Sequence, residues 1–314
     1  MFRIDYPFKK EVLACGAQEK ASFCLTKKNC AYIVNDLGTL TDGSVLEDYQ
    51  RKIEEAKKEL KVKPKVVIHD LHPDYPSTKY AQGQSQKNKG LKCIAIQHHH
   101  AHIASCIAEN GTKEKVIGVV FDAGALGEDN QIWGGDFFVG SLKGFKRVAH
   151  FYGLSAAGLF DRIALLAGLR GKIEYEGQGV NDLERIVNRS SHVLNKTYEF
   201  TIKRDKDKLL IYPESVFQNI DKDIKNNISK SIVSAVFHNA VVEITREVCH
   251  KIKQKEKINN VILTGSVFQN KVLFNGLKEV LAEDGFNLIT HRHFSCNDSH
   301  ISFGQAVLAD ALLR

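Results

Sequence analysis

No two of the seven cysteines (Cys15, Cys24, Cys30, Cys93, Cys106, Cys249 and Cys296) form a CxxC pair, and their number is odd. This argues against a disulfide framework or a zinc knuckle and reads as free thiols in a reducing compartment. No apolar run approaches the ~18 residues of a membrane-spanning helix. The first residues, MFRIDYPFKKEVLACG, lack the apolar core of a signal peptide. The expected location is therefore the cytoplasm, with no membrane partner. The 44 Lys and Arg exceed the 37 Asp and Glu, for a net charge of +7, but they are scattered through KKEVLACG, EEAKKEL and KRDKDK as on solvated faces. A nucleic-acid groove needs clustered basic residues with interleaved aromatics. Their absence argues against that partner, whereas a small anion such as a nucleotide suits the charge equally well. Low-complexity tracts and short-period repeats are also missing.

What remains is an ordinary globular composition, 43% hydrophobic over 314 residues, enough for one large or two medium domains. Residues 11–34 alternate in short apolar runs and predict a strand meander. SVLEDYQRKIEEAKKEL has apolar residues at helical spacing (Val45, Tyr49, Ile53, Ala56, Leu60), with Ser44 available as N-cap. VKPKVVIHDLHP and LKCIAIQHHH each carry a strand, the second leading into a helix that starts near His99. VIGVVFD and QIWGGDFFVGS flank a turn and predict a hairpin. Residues 155–255 read as mostly helical. NNVILTG is a strand, followed by a turn and the helix VFQNKVLFNGLKEVLAEDG. FNLITHRH is a last strand and SFGQAVLADALL a closing helix. The order strand–strand–strand–helix–strand–helix recurs from residue 116. The expectation is an α/β fold of two similar lobes: residues 1–115, and residues 116–314 with a helical insertion near 155–255, the last helix free to pack back on the first lobe. Ligands of such sheets sit at the carboxyl ends of the strands.

Four of the thirteen histidines fall within five positions, His98, His99, His100 and His102. His98 and His102 are one helical turn apart and can share a face. Neutral imidazoles at that spacing suit Fe or Zn, although a helix start with satisfied histidines has the same pattern. Asp122 ends the strand VIGVVFD, and Asp298 lies in the loop FSCNDSH before the last helix. Either carboxylate can complete a ligand set or cap a turn. Gly124 and Gly127 in the hairpin turn, and Gly265 with Ser266 after NNVILT, allow backbone amides to approach a phosphate, as they also allow plain turns. LHPDYPSTKYA, stiffened by Pro73 and Pro76, reads as a structured loop presenting His72 and Asp74.

Taken together and in this order, LACGAQEKASFCL, DLHPDYPSTKYA, IQHHHAHIAS, FDAGALGEDNQIWGGDF, SAAGLFDRIALLAG, YEGQGVNDLE, LTGSVFQNKVL and NDSHISFGQA resemble the HypF-type carbamoyltransferases of hydrogenase maturation. The likeness is to their C-terminal TsaD-like module, shared with TobZ. It implies a two-lobed actin/sugar-kinase (ASKHA) fold with a nucleotide cleft between the lobes. It also implies a divalent metal held by His98, His102, Asp122 and Asp298, with His99 and His100 orienting the site or touching phosphate. Gly124, Gly127, Gly265, Ser266 and Asn270 are the implied nucleotide-facing positions. The implied reaction uses ATP or carbamoyl-adenylate and passes the carbamoyl group to a cysteine of a HypE-like partner.

This sequence departs from the family at several points. The Gly-rich turn DGTGYG reads DAGALG, NDGG reads NDSH, GGVFQN reads GSVFQN, and a lysine–asparagine pair reads Lys20-Ala21. The 314 residues hold none of the family's acylphosphatase, paired CxxC or YrdC-like segments, so a separate protein forming carbamoyl-adenylate is expected. Three readings follow: a metal-dependent carbamoyltransferase; a non-catalytic HypF-like paralogue that binds metal, nucleotide or a partner without the full reaction; or a different ATP-dependent transfer on the same fold, such as one acting on tRNA, against which the scattered basic residues argue.

Overall fold

The computed structural model describes residues 1–187 and 196–314, so a short part of the expected helical stretch 155–255 lies outside the described residues. The chain opens with β1 (Phe2–Asp5), β2 (Val12–Ala14), β3 (Phe23–Lys27) and β4 (Cys30–Val34). They form an antiparallel meander in which β1 returns to pair with β4. Helix α1 (Gly43–Leu60) buries Tyr49, Ile53 and Ala56, three of the five positions its period predicted, with Val45 and Leu60 partly buried against the same core. Its N-cap is Asp42 rather than Ser44: the Asp42 carboxylate accepts from Ser44 N at 2.8 Å, leaving Ser44 inside the first turn. The strand β5 (Val66–Asp70) is buried throughout, as a parallel strand covered on both faces must be.

Residues 71–81 are a loop only as far as Tyr75. Pro76 takes the first position of α2 (Pro76–Lys87), where its missing N–H costs nothing and its fixed φ suits the helix. Then come β6 (Lys92–Ile96) and α3 (His98–Asn110), capped by the Gln97 side chain and ended by Gly111 in the left-handed conformation.

The second half repeats the scheme. The strands β7 (Val116–Leu126), β8 (Ile132–Ser141) and β9 (Gly144–Phe151) form the meander. After α4 (Ala156–Leu166) and α5 (Gln178–Ile186), residues expected to be helical instead form the hairpin β10 (Thr201–Asp205) and β11 (Lys208–Tyr212) at the sheet edge. Its charged side chains face solvent, which hid the strand alternation. Helices α6 (Glu214–Lys225) and α7 (Lys230–Glu256) precede β12 (Asn260–Thr264), α8 (Lys271–Glu283), the short β13 (Asn287–Ile289) and α9 (Ile301–Leu312).

The strand orders are β1-β4-β3-β2-β5-β6 and β10-β11-β9-β8-β7-β12-β13. Without the outlying β1 and the β10–β11 hairpin, the two sheets have the same order. Helix α9 packs against α3 and the first sheet, where Ile301, Phe303, Ala306 and Val307 share a core with Val12, Ala14, Ile33 and Ile68. The two helices touch so closely at Gly304 that a Cβ there would lie 1.9 Å from the Ala101 carbonyl oxygen. The other face of α3, through Ile103, Cys106 and Ile107, packs on Val116, Val120 and Phe138 of the second sheet. Helix α3 is thus gripped from both sheets, and its first turn lies where they meet.

Candidate metal centre

The donors arrive from separate elements. His98 and His102 lie on the first turns of α3. Asp122 sits where the β7–β8 register shifts between Phe121 and Ala125, a break that frees a strand residue from the ladder. Asp298 opens a short 3-10 turn ahead of α9. One ligand atom from each of the four residues lies within 4.8 Å of the other three. His102 Nε2 is 2.8 Å from Asp122 Oδ2. His98 Nε2 is 3.5 Å from both Asp122 Oδ2 and Asp298 Oδ1, as is His102 Nε2 from Asp298 Oδ1. Side-chain exposure is at most 4% for the first three and 21% for Asp298, so the cluster is reached from the Asp298 side. Two imidazole nitrogens and two carboxylates form a borderline-to-hard donor set that could hold a divalent transition ion.

Electrostatics favours charge here despite burial. Burial pushes the His98 and His102 imidazoles down, but the neighbouring carboxylates outweigh it and hold both above the ordinary value. Burial pushes Asp122 up, and the two imidazoles draw it well below the carboxylate range. His98 is oriented by Asp70, at the end of β5, whose Oδ2 lies 2.7 Å from His98 Nδ1. Tyr75, its ring stacked on His72 at 4.5 Å, lies within the field of His98, Asp70, Asp298 and Asp122; burial first, then these charges, sets its phenol at about 12.

His99 and His100 do not face the cluster. The His99 ring lies parallel to Trp133 and Phe138, with Nδ1 3.0 Å from Gln97 Nε2, and burial drives its pKa well down. His100 packs on Phe138 and Phe145, and burial lowers it to about 4. Both are neutral packing groups between the sheets.

The expected nucleotide-facing positions separate. Gly124 lies beside Ile132, whose Cγ2 a Cβ would meet at 2.5 Å, with Glu176 Oε2 at 3.7 Å. Gly127 is buried under Trp133, which a Cβ would meet at 2.2 Å, so packing demands that glycine. Gly265 has φ +105° and lies against the Phe121 backbone, with its Cβ position 2.2 Å from that carbonyl oxygen. The close approach brings Ser266, whose N–H (2.9 Å) and hydroxyl both donate to Asp122 Oδ1. Ser266 therefore opens a 3-10 turn, Ser266–Gln269, and α8 starts only at Lys271. Asn270 is fully buried. Its Oδ1 caps α8, and its Nδ2 lies 2.8 Å from His238 Nε2.

Sequence reasoning overlooked Asp70, which has the same strand-end signature as Asp122. It also overlooked the polar contacts that join α4 to α5. There Ser155 Oγ donates to Glu176 Oε1 at 2.5 Å, and Asp161 accepts from the Gly177 and Gly179 amides at 2.8 and 2.6 Å.

Two sheets of like topology, with a buried His2Asp2 cluster where they meet, make this an α/β chain of the two-lobed actin/sugar-kinase class. The family model described as "HypF Kae1-like domain" matches residues 7–109, and "Carbamoyltransferase, Kae1-like Domain, second subdomain" matches 118–158 and 152–305. The chain belongs to the HypF carbamoyltransferase family, in its Kae1-like part. It is 24% identical to carbamoyltransferase HypF of Synechocystis sp. over 373 residues, which cover 95% of this chain and 47% of that one. To a carbamoyltransferase HypF homolog of Cupriavidus necator it is 25% identical, covering 95% of this chain and 91% of the relative. A crystal structure of full-length HypF in a phosphate- and nucleotide-bound form superposes with a TM-score of 0.93 at 33% identity, over 99% of this chain and 48% of that one. The chain thus spans about half the length of most HypF relatives it matches. Among the described residues no helix is long and apolar enough to cross a membrane.

Proposed function

We propose that this chain is a metal-dependent carbamoyl-transfer module, in which His98, His102, Asp122 and Asp298 hold a divalent ion beside a bound carbamoyl-adenylate or ATP. The observation that carries the reading is the convergence of these four side chains, 200 residues apart in sequence at the extremes, within 4.8 Å. The N2O2 set fits Fe or Zn, and an ion that takes six ligands, such as Fe, would keep positions for substrate oxygen beside these four donors. When bound, such an ion supplies a Lewis acid for the leaving phosphate. The chain's own residues do the rest. Asp70 orients His98. The partly exposed Asp298 side leaves the approach open. Supply of the adenylate by a separate protein, and a HypE-like cysteine as acceptor, complete the proposal.

A specific observation favours a second reading, a non-catalytic paralogue. Ser266 is spent on Asp122, Asn270 is buried on His238, and Gly127 is packed under Trp133, so three expected nucleotide contacts serve the fold. Calorimetric titration of metal-assayed protein with ATP and its analogues, beside His98→Ala, separates the two. Metal near one equivalent, with nucleotide binding that the substitution abolishes, supports the transferase. Metal without nucleotide binding supports the paralogue. Loss of neither on substitution removes the cluster from both.

A further inference from the structure

The inference concerns how the proposed ion site is held, and it rests on that reading. Behind His102 runs a buried chain of polar groups that leads away from the cluster. His102 Nδ1 is 3.3 Å from Thr264 Oγ1. Thr264 Oγ1 is 3.0 Å from His291 Nε2. His291 Nδ1 is 2.7 Å from Glu109 Oε1, and the Glu109 side chain has no exposure at all. Glu109 Oε2 also accepts the backbone N–H groups of Arg292 at 2.7 Å and His293 at 2.8 Å.

Donor and acceptor roles along this chain are forced from its far end. Burial pushes the Glu109 carboxyl up, but His291 and the two amides outweigh it and hold it below the ordinary value, so it is an ionised acceptor. His291 Nδ1 must then carry the proton. Burial keeps the His291 imidazole below its ordinary value and hence neutral, so its Nε2 has a lone pair and accepts the Thr264 hydroxyl proton. With that hydrogen committed, Thr264 Oγ1 can only accept from His102. His300 lies on the same side, its Nδ1 facing the Ser295 carbonyl at 2.9 Å and its Nε2 3.2 Å from His102 Nδ1.

We propose that Glu109, His291 and Thr264 are positioning residues that fix His102 as the Nδ1–H tautomer and turn its Nε2 lone pair into the ion site. Asp70 does the same for His98 through one direct bond; His102 receives it through a relay anchored at the other end of its own helix. Ligating histidines depend on such outer partners, whose loss typically weakens metal binding ~10–100-fold.

The test compares zinc affinity, by competition with a chromophoric chelator, for the wild-type chain, Thr264→Val and Thr264→Ser. ¹⁵N-histidine NMR of the zinc-loaded wild type is read alongside. The expected result is a loss of roughly 10-fold or more for the valine variant, with serine restoring affinity to within about 2-fold, and an NMR pattern with His102 bound through Nε2 and protonated at Nδ1. Equal affinities for the valine and serine variants, or His102 bound through Nδ1, overturn the relay and leave the four-residue ion site standing. A folded wild type that takes up neither zinc nor ferrous iron overturns the ion site itself, and the relay with it. The NMR assignment needs no substitution, so it decides even if a variant fails to fold.

Discussion

Gly304→Ala tests whether the contact between α3 and α9 sets the geometry of the cluster. Alanine in the middle of a helix is ordinarily favoured over glycine by about 1 kcal/mol. Here the added Cβ would stand 1.9 Å from the Ala101 carbonyl oxygen, 2.6 Å from its carbon and 3.0 Å from its Cα. These are backbone atoms of a helix and cannot rotate aside, so the helices must part by more than an ångström. Overpacking of this kind costs ~1–3 kcal/mol, and a rigid backbone neighbour puts it at the upper end. After subtracting the helix gain, the net loss is about 2 kcal/mol, a fall in Tm of roughly 3 °C for a chain of this length. The separation also acts on the site, because Ala101 stands between His98 and His102 while Asp298 opens the turn that leads into α9. Zinc affinity should fall at least ~10-fold, as donor spacing is lost. Thermal denaturation and chelator competition measure the two effects. Gly43→Ala, at a position with nothing within 4 Å of the new Cβ, is the control and should be neutral or slightly stabilising. A Gly304→Ala protein with wild-type Tm and affinity would refute the argument that this crossing positions the donors.

Three further outcomes are expected. Asp70→Asn leaves His98 with a weaker acceptor at Nδ1 and should lower zinc affinity ~10–100-fold with little change in Tm, measured by the same competition. Asp284 is held below the ordinary carboxylate range chiefly by Arg246, which donates to both its oxygens at 2.6 Å, and then by His250 at 2.7 Å. A lowered folded-state pKa gives stability that is present above pH ~4 and lost as pH falls further, so Asp284→Asn should cost ~1.5–3 kcal/mol at pH 7. In urea titrations that difference should shrink below pH 4. Burial pushes the thiols of Cys15 and the part-buried Cys296 up to about 12 and those of Cys24 and Cys249 higher still, whereas the thiol of Cys93, also part-buried, is raised less far. Iodoacetamide on the native chain at pH 8 should therefore label Cys93 first, as peptide mass mapping would show.

Why some features were legible in the sequence and others were not has physical causes. VVIHD, VIGVVFD and NVILT announce themselves because a strand covered on both faces must be apolar throughout. The HxxxH spacing, Asp122 at a strand end and Asp298 in the loop before the last helix point to the cluster because both residue type and position are constrained there. Pro76 misled, since a proline that ends a loop and one that starts a helix look alike without the backbone. The edge hairpin 201–212 was hidden because solvent replaces the packing that creates alternation. The sequence also does not say which way a side chain turns: His99, His100, Gly127 and Asn270 stand next to site residues but serve the core. The partnership of Glu109 with His291 spans 182 residues and leaves no local trace.

The placement of α9 has a consequence for synthesis on the ribosome. The first sheet and α3 are complete by residue 110, yet Val12, Ala14, Ile33 and Ile68 share their core with a helix that begins at Ile301. About 190 residues separate the two, roughly 10–40 s of elongation at ~5–20 residues/s. Throughout that interval one face of the nascent first lobe is uncovered and open to chaperones. It closes only when α9 emerges and, in the same movement, delivers Asp298 to the histidines of α3.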